Sequence, residues 1–179
     1  MRRIVSDEAL DILFRNPCKA SAWLDRPVGD TLLRALWELA KLGPIPGQSA
    51  PELILFVRSP AAKEQLLLAL PPQEGTFMQA APVTAILADG TEGATPIGRS
   101  VSGAARQASL RAAYLMLAAR ALGLDCYPMW NFVPAAVESA FFPEGGVAAT
   151  HLCSLGYGED ARADPDPPRR GPDESCRIL

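Results

Sequence analysis

Histidine is the scarcest chemistry-bearing residue of this chain: there is one, His151, in 179 residues. The four cysteines, Cys18, Cys126, Cys153 and Cys176, are widely spaced and form no CxxC pair. With one histidine and no such pair, neither a metal site nor a disulfide framework is supported, and the cysteines read as free thiols. No apolar run reaches the roughly 20 residues of a membrane span, because the most apolar stretch is interrupted by Arg111 and Arg120. The net charge is −3 and the basic residues are scattered, so neither nucleic acid nor a membrane surface is implied as a partner. The opening MRRIVSDEAL carries two arginines and then two acids, with no apolar segment or small-residue cleavage site after them. The expectation is a cytoplasmic protein. No repeat divides the chain, and 49% hydrophobic content supports one domain over residues 1–179.

What is present is a centre. Residues 102–132, SGAARQASLRAAYLMLAARALGLDCYPMWNF, read as a long helix over Ala104–Leu122 that runs into an aromatic strand or loop. Ala, Leu, Met and Tyr occupy nearly every angle past Arg111, which predicts a buried helix, and its alanines offer a smooth surface for another helix. Gly123 suits a left-handed cap, and Arg120 meets the negative end of the helix dipole. Pro128 cannot donate to a sheet ladder and marks an edge or a bend. Such a bend is expected to set Tyr127, Met129 and Trp130 side by side, where they either wall a flat aromatic ligand or simply close the core.

Before the centre, Ser6 caps a short helix through Phe14 that ends by Pro17. Lys19 and Ser21 lie in an irregular stretch that Trp23 anchors; they could begin a phosphate site or sit in a solvated loop. A helix from Asp30 or Thr31 to Lys41 ends at Gly43-Pro44, and the stiff loop GPIPGQSAP leads to the strand ELILFVRS. Ser59 caps a helix over Pro60–Leu70, PPQEGTF reads as a loop, and APVTAILA as a second strand. DGTEGATPIGRSVSG has no periodicity and reads as an exposed connection. Pro134–Ala140 forms a short helix and Val147–Gly156 a strand, in which His151 reads as a satisfied packing residue. The proline-rich tail from Glu159 is extended and ends on apolar residues, as if its end docks.

This order, and more specifically the words WLDRPVGDTLLRALWELAKLGPIPGQSAPELILFVRS, MQAAPVTAILA, SLRAAYLMLAARALGLDCYPMWNF, VESAFF and CSLGYGED, resembles the FMN-dependent nitroreductase family from Ile12 onward. The branch that looks most similar contains malonic semialdehyde reductase of pyrimidine breakdown. The resemblance implies an α+β fold with a mostly antiparallel central sheet flanked by helices. It also implies a homodimer exchanging C-terminal arms over 159–179, with FMN at the interface and NADH or NADPH as co-substrate. A small carbonyl, nitro or quinone acceptor would take the hydride in ping-pong fashion, and no side chain is implied as a catalytic residue.

Matched position by position, the resemblance places Lys19, Ser21 and Arg169 at the FMN phosphate, with Cys18 where the family has a cation. Pro46 and Gln48 replace a Ser and an Asn that reach the flavin from the partner, and Glu74 and Phe77 replace an Asn and a Lys at its pyrimidine edge. Pro128, Met129, Trp130 and Asn131 form the wall near the ring. The connection Asp89–Gly103 is shorter than the family's substrate lid. These replacements keep a second reading open: a flavin-poor or flavin-free dimer that binds another ligand or serves a partner protein.

Overall fold

The computed structural model describes residues 4–15, 22–43, 52–90, 101–159, 171–176 and 178. Its frame is one four-stranded sheet in the order β1-β2-β4-β3, formed by β1 (Glu52–Val57), β2 (Val83–Gly90), β3 (Asp125–Met129) and β4 (Val147–Gly156). All three pairings are antiparallel, as expected. Short hairpins do not make these pairings; helices occupy the intervals, so each strand returns beside an earlier one only after crossing a face of the sheet.

Two helical layers cover the two faces. On one, α2 (Asp30–Ala40) and α5 (Val101–Ala121) pack Leu33, Leu36, Leu115 and Ala119 onto Ala85, Leu87 and Leu155. On the other, α3 (Pro60–Leu67), α4 (Pro72–Ala80) and α6 (Pro134–Phe141) bring Leu66, Met78 and Val137 onto Ile86, Leu152 and Met129. The alternation of strand side chains sorts these two sets, odd positions of β2 to one cluster and Ile86 to the other. The remaining helices, α1 (Asp7–Leu10) with a wider-wound turn over Asp11–Arg15, and α7 (Pro172–Ser175), lie outside this core, and α7 corrects the expectation of a tail extended throughout: Pro172 suits a first helical turn, where its missing amide hydrogen costs nothing.

Several expectations are corrected. PPQEGTF is not a loop but the body of α4, because Pro72 sits in the first turn, where a missing amide hydrogen costs nothing, and Thr76 bonds back to the Pro72 carbonyl at 3.0 Å. The helix begun by Ser59 stops at Leu67 rather than Leu70, and Leu68 is left largely exposed. The central helix starts at Val101, inside the stretch read as irregular, and it is not buried all round: Leu110 and Tyr114 are exposed on the single chain. Alanine is small enough to serve on either a covered or an open face, so composition alone overstated the burial. At its other end the expectation holds. Gly123 has φ +76°, and Leu124 N donates to Ala119 O at 2.9 Å, closing a left-handed C-terminal cap.

A buried lysine, which the sequence pattern did not flag, ties two helices together. Lys63 of α3 donates to the carbonyls of Gln79, at 3.1 Å, and Ala81, both at the end of α4, and burial pulls its pKa down. Among the described residues no helix is long and apolar enough to cross a membrane.

Candidate functional site

The chain leaves β3 at Met129, and the next residues divide by the pleat. Tyr127 and Met129 face the α3, α4 and α6 layer, where Met129 is buried. Trp130 turns to the other side and is 60% exposed. The side-by-side arrangement expected for Tyr127, Met129 and Trp130 is therefore split, because successive residues of a strand point to opposite faces. Pro128 stands in the ladder of an edge strand, opposite Cys153, where its missing donor is tolerated.

Asn131 follows Trp130 and donates from Nδ2 to Glu74 Oε1 at 3.4 Å, which links the end of β3 to the first turn of α4. The second carboxylate oxygen, Glu74 Oε2, is buried and has no hydrogen-bond partner. Phe77, three residues on in α4, is half-buried. It lies between Trp23 and Tyr127, with ring centroids 5.1 and 4.4 Å away, and its carbonyl accepts from Trp23 Nε1 at 3.1 Å. At this position, where the resemblance expects a lysine, the chain has a packing residue that pins the 22–28 segment to the sheet.

On the face opposite Phe77, Trp130 meets His151 edge-on, with centroids 5.4 Å apart and planes at 83°. His151 is buried but not satisfied as expected, since its Nδ1 has no partner. Burial lowers its pKa and the Asp89 carboxylate opposes that shift. Asp89, near the end of β2, is itself buried and ion-paired to Arg111 of α5. Gln107, one turn before Arg111, also holds a buried side-chain oxygen without a partner. Sequence reading missed the Asp89–Arg111 pair, although part of the signal was there: Asp89 is the one charge in β2, and Arg111 lies at the middle of α5.

Lys19, Ser21, Pro46, Gln48 and Arg169, the residues expected at the phosphate and from the partner subunit, lie outside the described residues, as does Cys18. The thiols of Cys126, Cys153 and Cys176 are free. Hydrogen bonding to Cys153, followed by burial, holds the Cys126 thiol well above its usual pKa, which unsuits it as a nucleophile. Among the described residues no cluster of His, Cys, Asp and Glu could hold a metal ion.

The described part of the site fits the pyrimidine end of a flavin. That edge presents an N–H donor flanked by carbonyls; Glu74 Oε2 is a buried acceptor awaiting a donor, and Asn131 carries an amide beside it.

No protein-family model matches the chain. Its relatives are more informative. A protein of Ralstonia nicotianae named as an NADH dehydrogenase/NAD(P)H nitroreductase is 37% identical over 187 residues, covering 95% of this chain and 96% of that one. A protein of the same description from Polynucleobacter asymbioticus is 36% identical over the full length of both. Among solved structures, a nitroreductase of Bacillus subtilis superposes with a TM-score of 0.81 at 18% identity, over 97% of this chain and 100% of the other. An FMN-dependent nitroreductase of Clostridium difficile superposes with a TM-score of 0.71 at 17% identity, over 85% and 88%. Sequence relatives and shared fold agree: the chain belongs to the NAD(P)H nitroreductase family of oxidoreductases.

Proposed function

We propose that the protein is an FMN-dependent oxidoreductase that moves hydride from NADH or NADPH to a small carbonyl, nitro or quinone-type acceptor. The observation that carries this reading is the buried, unpartnered Glu74 Oε2 beside Asn131, an acceptor whose desolvation is uncompensated until a donor arrives. Bound FMN would supply two-electron chemistry, accepting hydride from the nicotinamide and yielding it to the acceptor in alternation. The chain's own part is to hold and orient. Glu74 and Asn131 would grip the pyrimidine end, Trp130 and Pro128 would wall the ring, and Met129 would support them from the core. Lys19, Ser21 and Arg169 would take the phosphate, with Pro46 and Gln48 approaching from the partner.

The working unit in this reading is a homodimer. Support comes from apolar surface left open on one chain, notably Leu110 and Tyr114 on α5 and Trp37 and Leu42 around the end of α2. Among the described residues the second edge of β1 carries no strand, and an open hollow of about 1150 Å³ adjoins it between the 23–28 segment, Arg58 and Phe141. A C-terminal arm over 159–179 from a second copy, with the single turn of α7 near its end, would suit such an edge, and Ile178, 97% exposed on one chain, would be covered. Cytoplasmic residence and the acceptor's branch-level identity belong to the same proposal.

The test is the absorbance spectrum of purified protein from 300 to 550 nm, before and after incubation with FMN and desalting. Retained flavin bands that NADH or NADPH bleaches are the expected result. A colourless protein after FMN incubation refutes the reading in favour of a flavin-free dimer, a reading that Phe77, packed where a cation was expected, favours.

A further inference from the structure

Trp130 is a large side chain that is mostly in solvent, and an indole so placed has several rotamers open to it unless a neighbour selects one. Among the described residues its ring neighbour is His151, edge-on at 5.4 Å and 83°. His151 in turn is an unusual support. It projects from β4, opposite Leu87, on the side of the sheet that α5 covers, and is 9% exposed. Its Nδ1 is buried without a partner, so its nitrogen chemistry does not account for where the ring sits; its edge-on contact with the indole does.

We propose that His151, as the neutral imidazole, is a positioning residue that fixes the orientation of Trp130 in the candidate flavin site. The proposal rests on the reading of Trp130 as a wall of that site. An edge-to-face pair of this geometry biases one ring orientation over its alternatives by a few-fold to about tenfold. A wall already aimed spares the ligand that ordering step.

The proposal also predicts how the support is lost. Among the described residues the charged group that acts on His151 is Asp89 of β2, and Asp89 is held by Arg111 of α5. The segment after β3, residues 130–133, carries no charged side chain and meets His151 through the indole. Adding a proton to an imidazole whose buried nitrogen has no acceptor forces the ring toward water or toward Asp89, and either move abandons the edge-on contact. Burial already biases the ring against that proton, which places the loss on the acid side of 6.5.

Because His151 is the only histidine, one titration is read without assignment. The experiment follows near-ultraviolet circular dichroism and tryptophan fluorescence of the full-length protein against pH, together with FMN affinity at pH 7.5, for the parent, His151→Phe and His151→Leu. The parent is expected to show a one-proton transition below pH 6.5. His151→Phe, which keeps a ring but cannot titrate, should lose the transition while holding FMN within about threefold of the parent. His151→Leu should change the near-ultraviolet signal and weaken FMN by roughly three- to tenfold, whereas in a Trp130→Leu background, where no indole is left to aim, adding His151→Leu should cost nothing more. FMN binding by His151→Leu equal to the parent's, or persistence of the transition in His151→Phe, overturns the proposal. If His151→Leu does not fold, the pH series on the parent and His151→Phe decides alone. Failure of the parent to bind FMN overturns the flavin reading and the site this pair serves, whereas normal FMN binding with an unmoved spectrum overturns only the role of His151.

Discussion

Replacing Arg111 by Met removes one half of an ion pair that joins α5 to β2 where neither side chain reaches water: the Arg111 and Asp89 side chains are 6% and 9% exposed. The variant leaves the Asp89 carboxylate in the interior without the guanidinium that faces it. Removing one member of a buried pair costs about 3–5 kcal/mol, because the surviving charge keeps its desolvation penalty and loses its compensation. Against a total stability of about 5–15 kcal/mol for a domain, that is a large fraction. With a urea m-value near 2–3 kcal/mol/M, the unfolding midpoint should fall by roughly 1–2 M. The charge, rather than lost packing, is isolated by the double variant Asp89→Leu/Arg111→Met, since replacing a buried pair by apolar residues of similar volume is often neutral or stabilising. The double variant should therefore recover most of what the single variant loses, an interaction energy of several kcal/mol in a double-mutant cycle. Single variants that each cost under about 1 kcal/mol, or two effects that simply add, would refute the reasoning.

Two further outcomes follow from single residues. The pKa of His151 is lowered by burial from 6.5, so between its folded value and 6.5 the unfolded chain binds the extra proton. Stability should therefore be complete above pH 6.5 and decline as pH falls below it, levelling only below the folded value; His151→Phe should flatten that part of a urea-midpoint series, and an unchanged slope contradicts the assignment. At the end of β4, a Cβ on Gly156 would lie 2.6 Å from Pro82 ring carbons and 2.9 Å from Trp23 Cε3, all in well-packed rings. Gly156→Ala should cost about 1–3 kcal/mol through overpacking and should perturb the Trp23 signal in near-ultraviolet spectra, while a parent-like melt would show that this contact yields freely.

The fold was legible where one physical signal dominated. Ser59 followed by proline, the apolar run 83–88 and Gly123 after a helical repeat each settle local structure through backbone chemistry, and the structure follows them. The start of α4 was hidden because Pro71, Pro72 and Gly75 are loop residues by composition, and only tertiary packing against α3 recruits them: Gly75 sits where a Cβ would come within 2.8 Å of Leu67 Cδ2. The site was less legible than the fold. Matching words brought Trp130, Asn131 and Glu74 forward, and the structure brings Asn131 and Glu74 together. The roles of Asp89, Arg111 and His151 depend on which strand lies beside which, and cross-strand neighbours in the order β1-β2-β4-β3 are far apart in the chain.

The register between β2 and β4 slips once, between Leu87 and Ala88: Leu87 pairs with His151 but Ala88 pairs with Ala149, leaving Thr150 as a supernumerary residue whose hydroxyl donates to Leu87 O at 3.0 Å. That residue acts as a half-period phase shift in the strand. C-terminal to it His151, Cys153 and Leu155 keep one parity; N-terminal to it Ala149 joins Leu152 in the opposite cluster, which an unbroken alternation would forbid. A chain one residue shorter at this point would close an unbroken ladder, with Ala149 next to His151 on the opposite face and every pair kept, so the extra residue is not needed to hold the two halves in their layers. What Thr150 adds is a local bend and a stronger twist, placed immediately before the strand position from which the imidazole meets Trp130.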